Sequence, residues 1–326
     1  DSHLRILDTT GKQLTLNDDM RLGKRNFSDS LVENWTAPTD GTFVIEIRDL
    51  HLRGGADFVY FIRATRSLPS FELYIDTDKT QLTPGTGGVI FVRAERKNGF
   101  TGEIQLGIEG LPGGVEASCG RILAEKGQDG CIVLTAATDA KMMLANVQIT
   151  GKATHVDSDK ESLEITATAS PYQETYQPGG GRGHWPAEMH TVSIGEPGDI
   201  VAVTLSEYDV RLKPGESKKI DIKIERAEGF DKSVTLDVTY NHLSSVYGDS
   251  LPKGVTMDKS KSKTLLTGKT IEGHITLTAA KDSPAVERQQ ICVMANVSLN
   301  FVMKATYASR PLFISVDAAS PEGETK

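Results

Sequence analysis

The stretch Glu95-Arg96-Lys97-Asn98-Gly99-Phe100 returns as Glu225-Arg226-Ala227-Glu228-Gly229-Phe230, and this repetition decides the architecture. Each copy closes an alternating apolar and polar run, the pattern of a half-buried strand. The match continues downstream. Leu111-Pro112-Gly113-Gly114-Val115 recurs as Leu251-Pro252-Lys253-Gly254-Val255, and Leu134-Thr135-Ala136-Ala137 as Leu277-Thr278-Ala279-Ala280. These anchors lie 130, 140 and 143 positions apart, so the second copy carries an insertion between Phe230 and Leu251, expected as a loop over 240–250. Self-similarity at this length means tandem domains, because solenoid repeats are far shorter.

The 326 residues suit two or three domains. Apolar residues make up 38% and charged residues 25%, enough for each domain to bury a core. Abundant glycine and frequent Val, Ile and Thr, without long helical periodicity, predict an all-β chain of tandem β-sandwiches. The net charge of −8 is spread along the chain, which argues against nucleic acid as a partner. No apolar run approaches the ~20 residues that span a bilayer, so membrane insertion is not expected. The abrupt start at Asp1 reads as that of a mature or trimmed exported protein, placed outside the cell, at its surface or in the periplasm.

The first segment, 1–67, reads as a meander. Asp8-Thr9-Thr10-Gly11 and Pro38-Thr39-Asp40-Gly41 are turns, Phe43 to Ile47 alternates as a strand, and Phe58 to Ala64 reads as another. In order, DSHLRILDTTGKQLTLNDD (1–19), APTDGTFVIEIRDL (37–50) and GGADFVYFIRAT (54–65) resemble the bacterial pre-peptidase C-terminal (PPC) domain. That resemblance implies a small jelly-roll sandwich appended to an exported protein. Members carry further strands before the position where this chain begins. The resemblance therefore implies a sandwich incomplete at its N-terminus, with a sheet edge or apolar face for an N-terminal polypeptide to complete.

The second segment, 68–170, holds seven short strand patterns with turn signals between them, the pattern of an immunoglobulin-like sandwich. Residues 200–319 repeat it. The motifs Glu95-Arg96 to Gly102, Leu111 to Val115 and Leu134 to Ala140 resemble Ig-like repeats of large exported planctomycete-type proteins. Between the copies, 171–199 is rich in Pro and Gly and is expected to be a linker without regular structure. Residues 320–326 read as a polar tail.

Few residues invite chemistry. Cys119 and Cys131 flank a loop of the first copy, and in an exported setting a local disulfide between them is expected, worth ~3 kcal/mol at most. Cys292 reads as a buried free thiol. Asn17, Asp18, Asp19 and Asp29 offer hard oxygens for Ca²⁺, although the same residue types serve turns as backbone acceptors. His184 and His190, with Trp185 and Glu188 between them, fit no standard zinc spacing and read as solvated. Gly248-Asp249-Ser250-Leu251 spells a serine-esterase signature, but it falls in the insertion and no Asp-x-x-His accompanies it. The duplicated Glu-Arg pair reads as structural, with Gly99 and Gly229 in turns of positive φ and the following phenylalanines in the cores.

The chain is therefore expected to be non-catalytic: an exported accessory or adhesion region that spaces or binds cell-surface or matrix glycan or protein. Trp35 and Trp185 are its candidate aromatic platforms, and Tyr60 is placed in the core. Two alternatives are the non-catalytic C-terminal portion of a secreted peptidase or other enzyme, and a structural component of an envelope or surface layer. No cofactor is expected beyond calcium.

Overall fold

A computed structural model describes residues 1–22, 25–125, 127–156, 162–176, 181–242, 245–300 and 303–319. Every regular element among them is a strand, apart from one 3₁₀ turn at Lys259–Lys261. The fold is all-β and built of β-sandwiches. No helix among the described residues is long and apolar enough to cross a membrane.

The chain divides into two compact units, Asp1–Ser70 with Glu95–Phe100, and Phe71–Ala94 with Thr101–Lys326. In the first, Ser2–Leu7 is the centre of a three-stranded antiparallel sheet, flanked by Gln13–Asn17 and Val44–Asp49. Arg5 stands opposite Glu46 in register and donates to its carboxylate, a cross-strand pair on the solvent side. Asp8 Oδ1 accepts from the Thr10 and Lys12 N–H groups, which closes the turn before Gly11. The strand expected over Phe58–Ala64 does not form. Val59 and Phe61 are each 87% exposed, and Tyr60, expected in the core, is 66% exposed. A strand needs a hydrogen-bonding neighbour, and the three-stranded sheet does not extend to this segment.

The second unit contains the second repeat and, apart from Ser70 and Glu95–Phe100, the strands of the first. In the second repeat, Ile200–Leu205, Ser217–Arg226, Glu272–Ala279 and Val255–Met257 form one sheet in that order. The facing layer carries Val234–Asp237 between Met294–Ser298 and Leu265–Leu266, with Asp209–Leu212 parallel to Leu312–Val316. Along Ser217–Arg226, Ile220, Ile222 and Ile224 are buried while Lys219, Asp221 and Lys223 face water, the period-two alternation of a sheet with one wet face. The first repeat reproduces this arrangement with Ser70–Ile75, Gly87–Lys97, Asp129–Ala136 and Val115–Cys119 in one layer, and Ile104–Glu109 and Met143–Val156 in the other.

The duplicated motifs are paired turns. Gly99 and Gly229 have φ of +79° and +78°. The Arg96 and Arg226 guanidiniums lie 5.8 and 5.5 Å over the Phe100 and Phe230 rings. Val115 and Val255 donate to the Pro112 and Pro252 carbonyls, and Ala137 and Ala280 to Gly114 and Gly254. The repeated Glu-Arg stretch is thus structural.

The stretch 171–199 is not the expected linker. Ser162–Tyr176 runs through its start and pairs with Arg182–Pro186, forming an arm that extends from the first sandwich. His190–Ile194 then pairs with both Met143–Val156 and, in parallel, Lys79–Leu82. It is the last strand of the first sandwich, with His190, Val192 and Ile194 all buried. The expected loop over 240–250 is a hairpin, Tyr240–His242 with Ser245–Gly248. The polar tail 320–326 lies outside the described residues.

Candidate functional site at the junction of the two repeats

The outer face of the first repeat's sheet breaks the rule that the second obeys. Val89, Phe91 and Arg93 occupy the positions of Lys219, Asp221 and Lys223, and Cys131 and Val133 those of His274 and Thr276. A sheet apolar on both faces is covered on both. Here the cover comes from the second repeat. Cys131 and Val133 form a buried cluster with Cys292, Met294 and Ala308, with Val89, Phe91 and Tyr240 packed against it. Phe91 and Tyr240 stack with centroids 6.3 Å apart. Ala308 bridges to Gly87, so a sheet of one repeat continues into the other.

Polar groups frame this cluster. Arg93, with its side chain 15% exposed, donates through Nε to Asp129 Oδ1 at 2.7 Å and through Nη2 to the Tyr247 carbonyl at 2.9 Å. Burial pulls the Arg93 pKa down, but the Asp129 carboxylate and Tyr74 together outweigh it and the net shift is upward. Gln290 is 2% exposed and donates to the Ser118 and Cys131 carbonyls, while its own Oε1 accepts from the Ser118 hydroxyl at 2.6 Å. The inserted hairpin is therefore a docking element, and one repeat is keyed onto the other.

Where the hairpin meets the arm, a second set of polar side chains converges on one carboxylate. Glu174 Oε2 lies 2.8 Å from His184 Nε2, and Oε1 lies 2.9 Å from His242 Nε2. The Tyr176 hydroxyl donates to Oε1 at 2.5 Å and sits 2.7 Å from His242 Nε2, and the Tyr247 hydroxyl reaches Oε2 at 3.5 Å. The three central side chains are only 13–19% exposed. Burial pushes the Glu174 carboxyl up, but the hydrogen bonds from Tyr176, His242 and His184 hold it below the ordinary glutamate value. The carboxylate stands between the two rings. Among the described residues no group of three or more His, Cys, Asp or Glu is arranged to hold a metal ion.

The other residues singled out by sequence lie apart. Cys119 and Cys131 are not bridged. Cys119 stands opposite Ile132, so Cys131, one step along, points to the other face of the sheet. Cys292 is free and 1% exposed, as expected, although it lies between the strands Val286–Ile291 and Met294–Ser298. The Asn17 side chain accepts from the Leu31 N–H, while Asp19 and Asp29 are exposed and Asp18 half-buried. Trp35 is half-buried, with Phe43 edge-on at 5.0 Å. Trp185 is 57% exposed on the arm, its Nε1 donating to Thr175 Oγ1. His190 does not join His184. It is buried, and its Nδ1–H donates to the Thr77 carbonyl while Nε2 meets the Thr80 hydroxyl. Burial pulls its pKa down, against the Thr77 carbonyl and Asp78. Ser250 is 1% exposed and faces the Cys131 thiol, shut inside the junction and out of reach of a substrate.

Sequence reasoning missed both polar sets. One signal was available, the two-sided apolar character of Val89 to Arg93 beside the charged Lys219 to Lys223. Glu174 and His242 carried none, and His184 was weighed only beside His190, because only the fold brings the three together.

No protein-family profile matches the chain, and no curated protein matches it. Among solved structures, domains 5–6 of the S-layer protein SbsC share 10% identity, with a TM-score of 0.27, over 78% of this chain and 100% of that one. The D0–D1 domains of intimin share 12%, with a TM-score of 0.23, over 75% and 97%. The sialic acid binding region of a Streptococcus sanguinis SK1 adhesin shares 10%, with a TM-score of 0.23, over 78% and 79%. At such scores these likenesses carry no argument, and the β-sandwich fold rests on the strand registers above.

Proposed function

We propose that this chain is a non-catalytic accessory or adhesion region of an exported protein, which holds two immunoglobulin-like sandwiches as one rigid pair. In that role it spaces or presents a neighbouring part, or binds glycan or protein at a cell surface or matrix. One observation supports the reading above others. The buried polar side chains from Arg93 and Asp129 to Gln290 tie repeat to repeat. Calcium has no role in this reading.

The test is a distance measurement on the full chain, with genetically encoded spin labels at exposed Glu116 and Lys223, one in each sandwich. A single narrow distance distribution is expected, together with retention of the chain on a glycan or matrix-protein array. A broad distribution overturns the rigid pair, and hydrolytic turnover by the purified chain overturns the non-catalytic assignment.

A second reading, a structural component of an envelope or surface layer, is favoured by the exposed apolar run Phe58 to Ile62 in the first unit. It predicts self-association, seen as light scattering that rises with concentration. A strictly monomeric chain overturns it.

A further inference from the structure

The Glu174 cluster links the end of Ser162–Tyr176, where it forms the arm, to the inserted hairpin. Glu174, Tyr176 and His184 stand on the arm of the first repeat, while Tyr240, His242 and Tyr247 stand on the inserted hairpin of the second. The Glu174 carboxylate serves both sides: it accepts from His184 within the arm and from His242 across to the hairpin. The His242 ring is held edgewise by Tyr176 and Tyr247, at 6.5 and 5.7 Å.

We infer that this cluster is a proton-operated latch between arm and hairpin, shut while Glu174 is ionised and released when it takes up a proton. With Glu174 ionised, its two oxygens accept the Nε2–H of each imidazole and the Tyr176 hydroxyl. A proton on Glu174 converts one acceptor oxygen into a donor facing groups that already donate. The hydrogen bonds that hold Glu174 below the ordinary glutamate value fix the direction. The latch is fully made above the unfolded-state value and lost as pH falls through the lower folded one. Other charges lie around it without replacing it. Lys304 Nζ donates to the Asn241 carbonyl, and Asp237 accepts from the Asn241 side chain. Arg93, Asp129 and Asp249 hold the far end of the hairpin.

The inference builds on the rigid pair but is tested apart from it. On the full chain, genetically encoded spin labels at exposed Glu188, which follows the arm, and at exposed Val246, on the hairpin, report the latch, while the Glu116 and Lys223 pair reports the sandwiches. The Glu188 to Val246 distribution is expected to stay narrow from neutral pH into mild acid. It then broadens with a midpoint below the ordinary glutamate value, while far-UV circular dichroism stays native. Glu174→Gln is expected to broaden it at every pH, and His242→Ala to do the same at neutral pH, the double variant broadening it no further. A neutral-pH distribution unchanged by either variant overturns the latch. So does broadening of the wild type that comes only with loss of the circular dichroism signal. A broad Glu116 to Lys223 distribution at neutral pH instead overturns the rigid pair.

Discussion

The backbone N–H of Asp249 donates to Asp129 Oδ2 at 2.9 Å, which ties the second repeat's inserted hairpin to a carboxylate of the first repeat. The same carboxylate takes the Arg93 guanidinium, and the Asp129 side chain is only 6% exposed. Truncating it removes the nearer carboxylate from a buried cation, leaving Asp76 at 4.0 Å, and strands a backbone donor. Asp129→Ala is expected to cost about 3–5 kcal/mol in urea unfolding. Arg211→Ala, which removes exposed pairs with Glu287 and Asp317, is expected to cost no more than ~1 kcal/mol.

Asp249 answers to pH in the opposite sense to Glu174. Burial pushes its carboxyl up, the Leu251 N–H pulls it down, and Asp129 and Asp237 push it up again, leaving it raised overall. A carboxyl raised on folding is a liability once ionised, so stability falls as pH rises from the unfolded value through the folded one. Asp249→Asn keeps an acceptor for Leu251 and is expected to stabilise the chain at neutral pH. That gain is expected to vanish in acid, as urea midpoints across the pH range will show.

Gly248 lies against the ring of Phe91, and a Cβ built there would fall 2.3 Å from Phe91 Cγ. Gly248→Ala is expected to cost about 1–3 kcal/mol through overpacking. Adding Phe91→Leu should recover part of that loss, so the two changes will couple in a double-mutant cycle.

Gly99 and Gly229 share a left-handed φ, and a Cβ at either meets nothing within 4 Å. Only the backbone conformation opposes a side chain. Gly99→Ala and Gly229→Ala are each expected to cost about 1–2 kcal/mol, and by nearly equal amounts. Unequal costs in denaturant titrations would show that the two turns are not equivalent.

The three cysteines differ in access. Burial pushes the Cys131 thiol up to about 11, against the neighbouring Ser250 and Gln290 side chains, and burial and Cys131 push Cys292 up. Cys119 is half-buried, and burial raises its pKa as well, against the Ile108 backbone. Native chain is expected to react with a thiol reagent at Cys119 first, and at all three positions once denatured. A disulfide would leave one reactive thiol in the denatured, unreduced chain.

What was legible in the sequence was local. The turns at Gly99 and Gly229 and the paired Leu-Pro motifs need particular residues at particular φ, so the chain wrote them twice. His190–Ile194 alternates plainly but was lost among Pro and Gly. Its counterpart Leu312–Val316 lies 122 positions on, because the arm lengthens the first copy as the hairpin lengthens the second. The disulfide failed on register, since a spacing of 12 residues says nothing about which face each sulfur takes. The strand over Phe58–Ala64 failed because propensity supplies no hydrogen-bonding neighbour. Glu174 and His242 stand 68 positions apart, and no periodicity joins them.

The apolar outer face of Val89, Phe91, Cys131 and Val133 has a consequence for inheritance. A gene segment encoding the first repeat alone would carry a sticky surface into any new setting, while the second, with its charged Lys219 to Lys223 face, would carry a hairpin shaped for a missing host. Recombination can move these sandwiches safely only as a couple, so arrays descended from this chain should grow by twos.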